Sequence, residues 1–520
     1  MGNISRREFI QFLGASSAAA ISPLGVSSVV KRVIHEPNLF PSSIDDLIVT
    51  PLLKKSMLIS WGDRISKDDT FGFNNDYNAI IPLSKTRALL WTNHEYVNPL
   101  FIHGVTDPAN KTKELIEQEM YNVGGSIIEI KKGKKGNWTL VENSKYNKRI
   151  SGLTKIPFAQ NLKIAGSNNA MGTLANCAGG TTPWNTVLTC EENYDGFYGE
   201  REHGESTISD SNYGWEKFYP NPPEHYGWVV EIEPKTAKSK KLVSLGRFQH
   251  ECATVTTSKQ GSTVCYSGDD KAGEFLYKFV SNKQDSLEEG ILYVANTSKG
   301  KWIPIDINLS PVLKEHFNST VEALTHCRKS GRILGATPLD RPEDIEVHPK
   351  TKDIFVCLSN NKKAGNYHGS LFKITEDPND PLKFTSETYY PGGKEFSCPD
   401  NIAFDSRGNL YLTCDISGKR IGKGVYKKFG NNGLFVIPIS GKNAGKPIQI
   451  ASAPNDAELT GLCFSPDEES LFLSVQHPGE LTKDKSKPTS NWPSNKKGDI
   501  PRPSLVELRG PLLKNLNLLG

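Results

Sequence analysis

Ile345-Glu-Val-His-Pro-Lys-Thr-Lys-Asp-Ile-Phe-Val-Cys-Leu358 reads as a short apolar strand, a turn, and a second apolar strand. The same form returns at Ile402-Ala-Phe-Asp-Ser-Arg-Gly-Asn-Leu-Tyr-Leu-Thr413 and at Leu462-Cys-Phe-Ser-Pro-Asp-Glu-Glu-Ser-Leu-Phe-Leu-Ser-Val475. Period-two patterning around Pro, Gly, Asp and Ser turns predicts β-hairpins. An earlier copy runs from Ala253 to Tyr266, and a degenerate one spans Leu174 to Thr189. Repeats of roughly 40–60 residues, each with several short strands, point to propeller blades. A β-sandwich would account for the strands but not for the recurring hairpin. The wider gap between 253 and 345 leaves room for an insertion, and Val312 to Arg328 reads as a helix within it.

The flanks of the repeat carry acidic groups. Glu251, Glu343 and Asp400 each stand two residues before a first strand, and Glu458 stands four before Leu462. Glu191-Glu192-Asn193, Asp269-Asp270, Asn360-Asn361 and Asp415 follow the second strands. In an antiparallel hairpin, the entry of one strand and the exit of the next lie at the same end. Radially arranged hairpins would therefore gather these groups at one end of the channel, where like charges raise one another's pKa and invite cations. Oxygen-rich ligands suit hard ions such as Ca²⁺ or Fe³⁺. Turn capping accounts for any single position; recurrence in register favours convergence.

The chain has 520 residues, 37% hydrophobic and 23% charged, which excludes wholesale disorder. Gly 45 and Pro 32 indicate many turns rather than long helices. A net charge of +4 gives no electrostatic case for nucleic acid as a partner. Paired Arg6-Arg7 precede a weakly apolar run from Phe12 to Val30, so residues 1–35 are expected to be a twin-arginine signal, with the export machinery as partner. The mature protein is expected in the periplasm or outside the cell, as one domain over 36–520 and as a monomer without a membrane span. Nine cysteines, none in a C-x-x-C pair, argue against a zinc ribbon and leave any disulfide pairing open. Neither a phosphate loop nor a G-x-S-x-G elbow is present. His94, His250 and His477 sit beside turns and read as structural hydrogen-bonders.

A series of strings in order resembles the PhoX family of secreted bacterial alkaline phosphatases. They include Trp61-Gly62-Asp63, Gly72-Phe-Asn-Asn-Asp76, Thr92-Asn-His-Glu95-Tyr96, Gly124-Gly125-Ser126, Thr182-Pro-Trp184 and Leu188-Thr-Cys190-Glu-Glu-Asn193. Further strings are Gly246-Arg-Phe-Gln-His-Glu251, Gly268-Asp-Asp270, Arg341-Pro-Glu343, Cys398-Pro-Asp400, Glu458-Leu-Thr-Gly461 and Val475-Gln-His-Pro-Gly-Glu480. The resemblance implies an all-β, six-bladed β-propeller with inserted loops and a few helices. It also implies a cluster of two Fe³⁺ and three Ca²⁺ ions with a bridging oxo group, acting on small phosphate esters. On that pattern Cys190 would be the thiolate ligand and Glu251 and Glu343 the iron carboxylates. Glu191, Glu192, Asp269, Asp400 and Glu458 would serve the remaining ions. Arg341 would grip phosphoryl oxygens with its planar fork, and Asn193 would donate to one of them. Two other functions fit a calcium-bearing propeller: a lactonase or phosphotriesterase without iron, for which Cys190 would be dispensable, and a non-catalytic scaffold.

Overall fold

The computed structural model describes residues 41–519. The expected signal lies outside the described residues. Six antiparallel sheets of four or five strands form a ring, each blade entered by its innermost strand. In chain order, the innermost strands are Asn75–Ser84, Asn176–Thr181, Thr254–Thr257, Pro342–Val347, Pro399–Phe404 and Glu458–Phe464, and they number blades 1 to 6. The five hairpins visible in the sequence are the first two strands of blades 2 to 6. Blade 1 supplies the sixth, with Arg87–His94 as its second strand. The six-bladed, all-β architecture expected from the sequence is the one found.

The ring is closed by both ends of the chain. Lys54–Ser60 pairs with Ser504–Arg509 at the outside of blade 6, and Ile48–Val49 adds to Ile448–Ser452 of blade 5. A closed ring leaves no gap at which the blades could splay.

Apolar residues gather between blades, one cluster per junction. Trp91 and Ile127 meet Val187 and Val230 between blades 1 and 2. Leu188 and Val229 meet Tyr277 and Val294 between blades 2 and 3. Val264 meets Val356, Phe355 meets Phe435, Tyr411 meets Leu471, and Phe472 meets Leu90 around the rest of the circle. Each large apolar side chain buried this way contributes about 1.5–3 kcal/mol.

Close approach of neighbouring blades explains two glycines. A Cβ on Gly180 would lie 2.0 Å from the Ala253 carbonyl oxygen of blade 3. One on Gly461 would lie 2.2 Å from the Asp76 carbonyl oxygen of blade 1, at a φ of +61°. Polar side chains also fasten junctions between blades: Asn93 Nδ2 donates to the Cys177 and Ala178 carbonyls at 2.7 and 2.9 Å. Asn78 Nδ2 donates to the Gly461 carbonyl at 2.9 Å, and the Ile402 amide donates to Asp344 at 3.0 Å.

The expected helix over Val312 to Arg328 is broken into three pieces. A 3₁₀ turn covers Pro311–Glu315, and α-helices cover Thr320–Thr325 and Cys327–Ile333. Asn318 and Ser319 cause the break, because the Ser319 hydroxyl accepts from the Glu322 amide and starts a new helix. Among the described residues no helix is long and apolar enough to cross a membrane, and all nine cysteines are unpaired.

Candidate metal centre

At one end of the channel, each innermost strand, or in blade 3 the segment leading into it, offers one side chain: Asp76, Cys177, Glu251, Glu343, Asp400 and Glu458, from blades 1 to 6. The strands achieve this with a shared irregularity. Ladder pairing skips from Asn75 to Asn78, from Asn176 to Gly179, from Pro342 to Ile345 and from Pro399 to Ile402. Two residues inside each skip are freed from the ladder, and the first of them lines the cavity; re-aiming a side chain is what a bulge does. In five blades a non-glycine residue with positive φ stands two before the ring position: Asn74, Ala175, Arg341, Cys398 and Asp456. Left-handed backbone at such residues costs about 1–3 kcal/mol apiece, and strain of this kind concentrates at functional sites.

The second strands deliver a further set as they exit. Glu95, Glu192, Asp270, Asp415 and His477 join the ring around a cavity of about 190 Å³. Among the described residues ten carboxylates line it, against one arginine and one histidine. Arg341 cannot neutralise them: its Nε and Nη2 are already 2.8 and 2.7 Å from Asp270, and Nη2 is 2.8 Å from Glu343.

Protonation reflects this excess of negative charge. Burial, then Asp400, outweighs hydrogen bonds from Thr460 and Cys177 and raises Asp76 to about 8. Burial and Asp76 do the same for Glu95, and burial and Asp415 for Glu458, each to about 8. Burial pushes Glu192, Glu251, Glu343 and Asp400 well above the usual carboxylate range, with neighbouring carboxylates adding to it. Asp270 goes the other way; burial would raise it, but Arg341 holds it low. Burial would lower His477, but Glu458 at 2.9 Å and Glu480 outweigh it and favour the imidazolium.

Ligand atoms come together in three overlapping groups, each within 4.8 Å: Asp76, Glu95 and Cys177; Cys177, Glu192 and Glu251; Glu251, Glu343 and Asp400. Because Cys177 and Glu251 are shared, the groups form one continuous arc. Carboxylate oxygens suit hard cations and a thiolate suits iron. The residues present thus fit a multi-ion cluster. Burial and then Asp76 push the Cys177 thiol up, and its Sγ lies 3.4 Å from Glu251 Oε1. A coordinating cation reverses that preference and deprotonates the thiol.

A family model described as alkaline phosphatase PhoX matches residues 35–479. The chain belongs to the PhoX alkaline phosphatase family. The solved structure of Pseudomonas fluorescens PhoX in complex with vanadate, a transition state analogue, is 28% identical. The likeness covers 90% of this chain and 97% of that one, with a TM-score of 0.79. A gluconolactonase from Xanthomonas campestris, XC5397, is 10% identical over 91% of this chain and 98% of that one. Its TM-score of 0.37 is too low to carry an argument. No curated protein sequence matches. As a PhoX phosphatase, the chain is a phosphomonoesterase of a metal-dependent family.

Seven of the site residues expected from sequence meet at this cavity: Glu192, Asn193, Glu251, Arg341, Glu343, Asp400 and Glu458. Three do not, and each has a physical reason. Cys190 is packed with Leu188, Val229 and Leu242 in the core between blades 2 and 3, facing away from the channel. Glu191 is fully committed elsewhere: it accepts from Lys241 Nζ at 2.6 Å and from the Gly227 and Trp228 amides at 3.0 and 3.1 Å. Asp269 is held by the Arg328 fork, at 2.8 and 2.5 Å. The thiol at the centre is Cys177. Asp270 and Asp415 are among the exit groups the sequence displays; Asp76 and Glu95 stand in strings that carry the family resemblance but are not among the expected site residues, whereas Cys177 carries no signal beyond register. His94 and His250 are buried hydrogen-bonders, as expected, with Phe73 and Ser126, and with Ser267 and Gly246. His477 reaches the cavity.

Proposed function

We propose that the chain hydrolyses phosphate monoesters at this end of the channel with a mixed cluster of two Fe³⁺ and three Ca²⁺ ions and a bridging oxo group. The observation that carries this reading is the continuous arc of carboxylates around a single thiol. Cys177, Glu251 and Glu343 would hold iron, and Asp76, Glu95, Glu192, Asp400, Asp415 and Glu458 the remaining ions. Bound there, the ions supply positive charge to the phosphoryl oxygens and an activated oxygen nucleophile.

Arg341 supplies the protein's own cation. Its side chain is 28% exposed at the cavity, and its fork now rests on Asp270 and Glu343. With iron taking Glu343, Asp270 still anchors Nε and Nη2, and the remaining N–H groups of the guanidinium are free to donate to phosphoryl oxygens and to stabilise charge in the transition state. The Ser359 amide donates to the Arg341 carbonyl at 3.0 Å and fixes the strained backbone from which the side chain departs. Asn193 is exposed at the cavity rim, its Nδ2 2.7 Å from Glu192 Oε2, where it can donate to a third oxygen.

The Arg6-Arg7 leader and the family together support export by the twin-arginine machinery to the periplasm or beyond, with residues 36–520 acting as one monomeric unit. Metal analysis of exported protein alongside p-nitrophenyl phosphate hydrolysis tests the reading, for wild type, Cys177→Ala and Cys190→Ala. Iron and calcium in wild type, with iron and activity lost only in Cys177→Ala, is the expected result. Calcium without iron and no hydrolysis by folded wild type would refute it.

A further inference from the structure

Beside the ringed cavity lies a second, larger one of about 460 Å³. The two share Glu95, Tyr96, Asn193 and Glu480 as a common wall. Beyond that wall, the outer cavity is built from the long connection between the second and third strands of blade 2, which brings Asp195, Asp210 and Tyr213. Its four carboxylates are Glu95, Asp195, Asp210 and Glu480, and among the described residues no lysine, arginine or histidine lines it. The side-chain hydrogen-bond donors to those carboxylates are neutral, and the cation that acts on Glu95 and Glu480 is the His477 imidazolium of the inner cavity. Gln249 donates to Asp195 at 3.1 Å, Gln476 to Glu95 at 2.6 Å, and the Tyr96 hydroxyl to Glu480 at 3.3 Å. Tyr213 is fixed as a wall by stacking on Phe197, with ring centroids 4.5 Å apart and planes 17° from parallel.

Resting on the phosphatase reading, we propose that this outer cavity holds the alcohol part of the ester and selects alcohols that carry an ammonium group over those that carry a second anion. A phosphoryl group at the inner cavity places its alcohol oxygen toward the shared wall, so the rest of the alcohol extends into the outer space. Tyr213 already carries the Lys111 ammonium 5.4 Å from its ring centroid and Phe197 stacked on it, so the attraction for an ammonium group comes from the carboxylates. The same carboxylates repel an anionic substituent. Asp195 and Asp210 line only the outer cavity, so cations held at the centre leave their charge in place. A space of this size accommodates a small amino alcohol with its hydration.

The test is kcat/KM of the metal-loaded enzyme for phosphocholine, glycerol 1-phosphate and 3-phosphoglycerate, at low and high ionic strength. It is repeated with the Asp195→Asn/Asp210→Asn double variant. Comparing substrate ratios between wild type and variant cancels the intrinsic reactivity of each leaving group. Wild type should favour phosphocholine over 3-phosphoglycerate by at least ~30-fold at low salt, and screening should compress that ratio. The double variant should reduce it by ~5-fold or more, leaving the neutral glycerol ester least affected. A ratio within ~2-fold of unity in wild type, or a ratio unchanged in the variant, would overturn the proposal. Absence of p-nitrophenyl phosphate turnover by loaded wild type is a different failure. It would remove the phosphatase reading, and this proposal with it.

Discussion

Stripping the centre of cations should produce a protein that loses stability as pH rises from 5 to 8. Glu458 shows the size of the effect. Burial first, and then the charge of Asp415, raises its pKa from 4.5 to about 8. Between those two values the folded state binds a proton that the unfolded state has released. The stability from such a group is therefore complete below about pH 4.5 and lost as pH climbs through about 8. The slope is ~1.4 kcal/mol per pH unit per titrating group, so Glu458 alone removes about 5 kcal/mol. Asp76 and Glu95, also at about 8, lose their protons in the same window. The three lie in one cluster, so the protons leave in succession and the individual losses do not simply add. At a specific unfolding entropy of ~2.1 cal/mol/K per residue, a loss of 5 kcal/mol lowers the midpoint of a chain this long by roughly 5 °C.

Scanning calorimetry of chelator-treated protein at pH 5, 6, 7 and 8 measures this directly. The metal-free midpoint should fall across the series by ~5 °C or more. Restoring Ca²⁺ and Fe³⁺ should abolish or invert the slope, since coordinated carboxylates stay ionised and metal binding releases their protons. Glu458→Gln should flatten the metal-free curve by one group's share. A metal-free midpoint that stays level or rises between pH 5 and 8, in protein shown to contain no metal, would refute the reasoning.

Arg341→Lys keeps the positive charge but replaces the two-pronged contact with a point charge; kcat/KM for p-nitrophenyl phosphate should drop by ~10²-fold or more, while calorimetry shows a metal-loaded, folded protein. Lys241→Met leaves Glu191 charged and without its cation in a fully buried position; urea unfolding should show a loss of about 3–5 kcal/mol. Gly461→Ala forces a methyl onto the Asp76 carbonyl, 2.2 Å away, at a φ that L side chains rarely adopt; it should destabilise by ~2 kcal/mol or more in calorimetry and weaken metal retention by displacing Asp76.

Turn chemistry made five inner hairpins legible in the sequence, because each has a compact Pro, Gly, Asp or Ser turn between apolar runs. Blade 1 hides its strand behind Asn74, Asn75, Asp76 and Asn78. Those polar residues are buried at the channel and at the junction with blade 6, where Asn78 reaches Gly461. Ring positions that are acidic and flanked by apolar strands, such as Glu343 and Asp400, could be read from spacing alone.

The thiol could not be found by charge. Cys190 has Glu191 and Glu192 as neighbours in sequence, yet it shares a face with Leu188 and packs into the core between blades 2 and 3. Cys177 has Asn176, Ala178 and Gly179 around it, and its acidic neighbours, Glu251 above all, arrive from other parts of the chain. What marks it is register. It stands two residues after a positive-φ residue, Ala175, and two before Gly179, where the ladder resumes. Glu343 has the same frame between Arg341 and Ile345, as does Asp400 between Cys398 and Ile402. The pair Asp269 and Asp270 makes the same point at the strand exits: adjacent in sequence, one is bound by Arg328 outside the ring and the other faces Arg341 within it. A one-residue slip on a strand exchanges its faces. On blade 2 it would put Ala178 in the cavity and send the Cys177 thiol into the core, so the position inside the bulge, rather than the charge of sequence neighbours, determines which side chain can hold an ion.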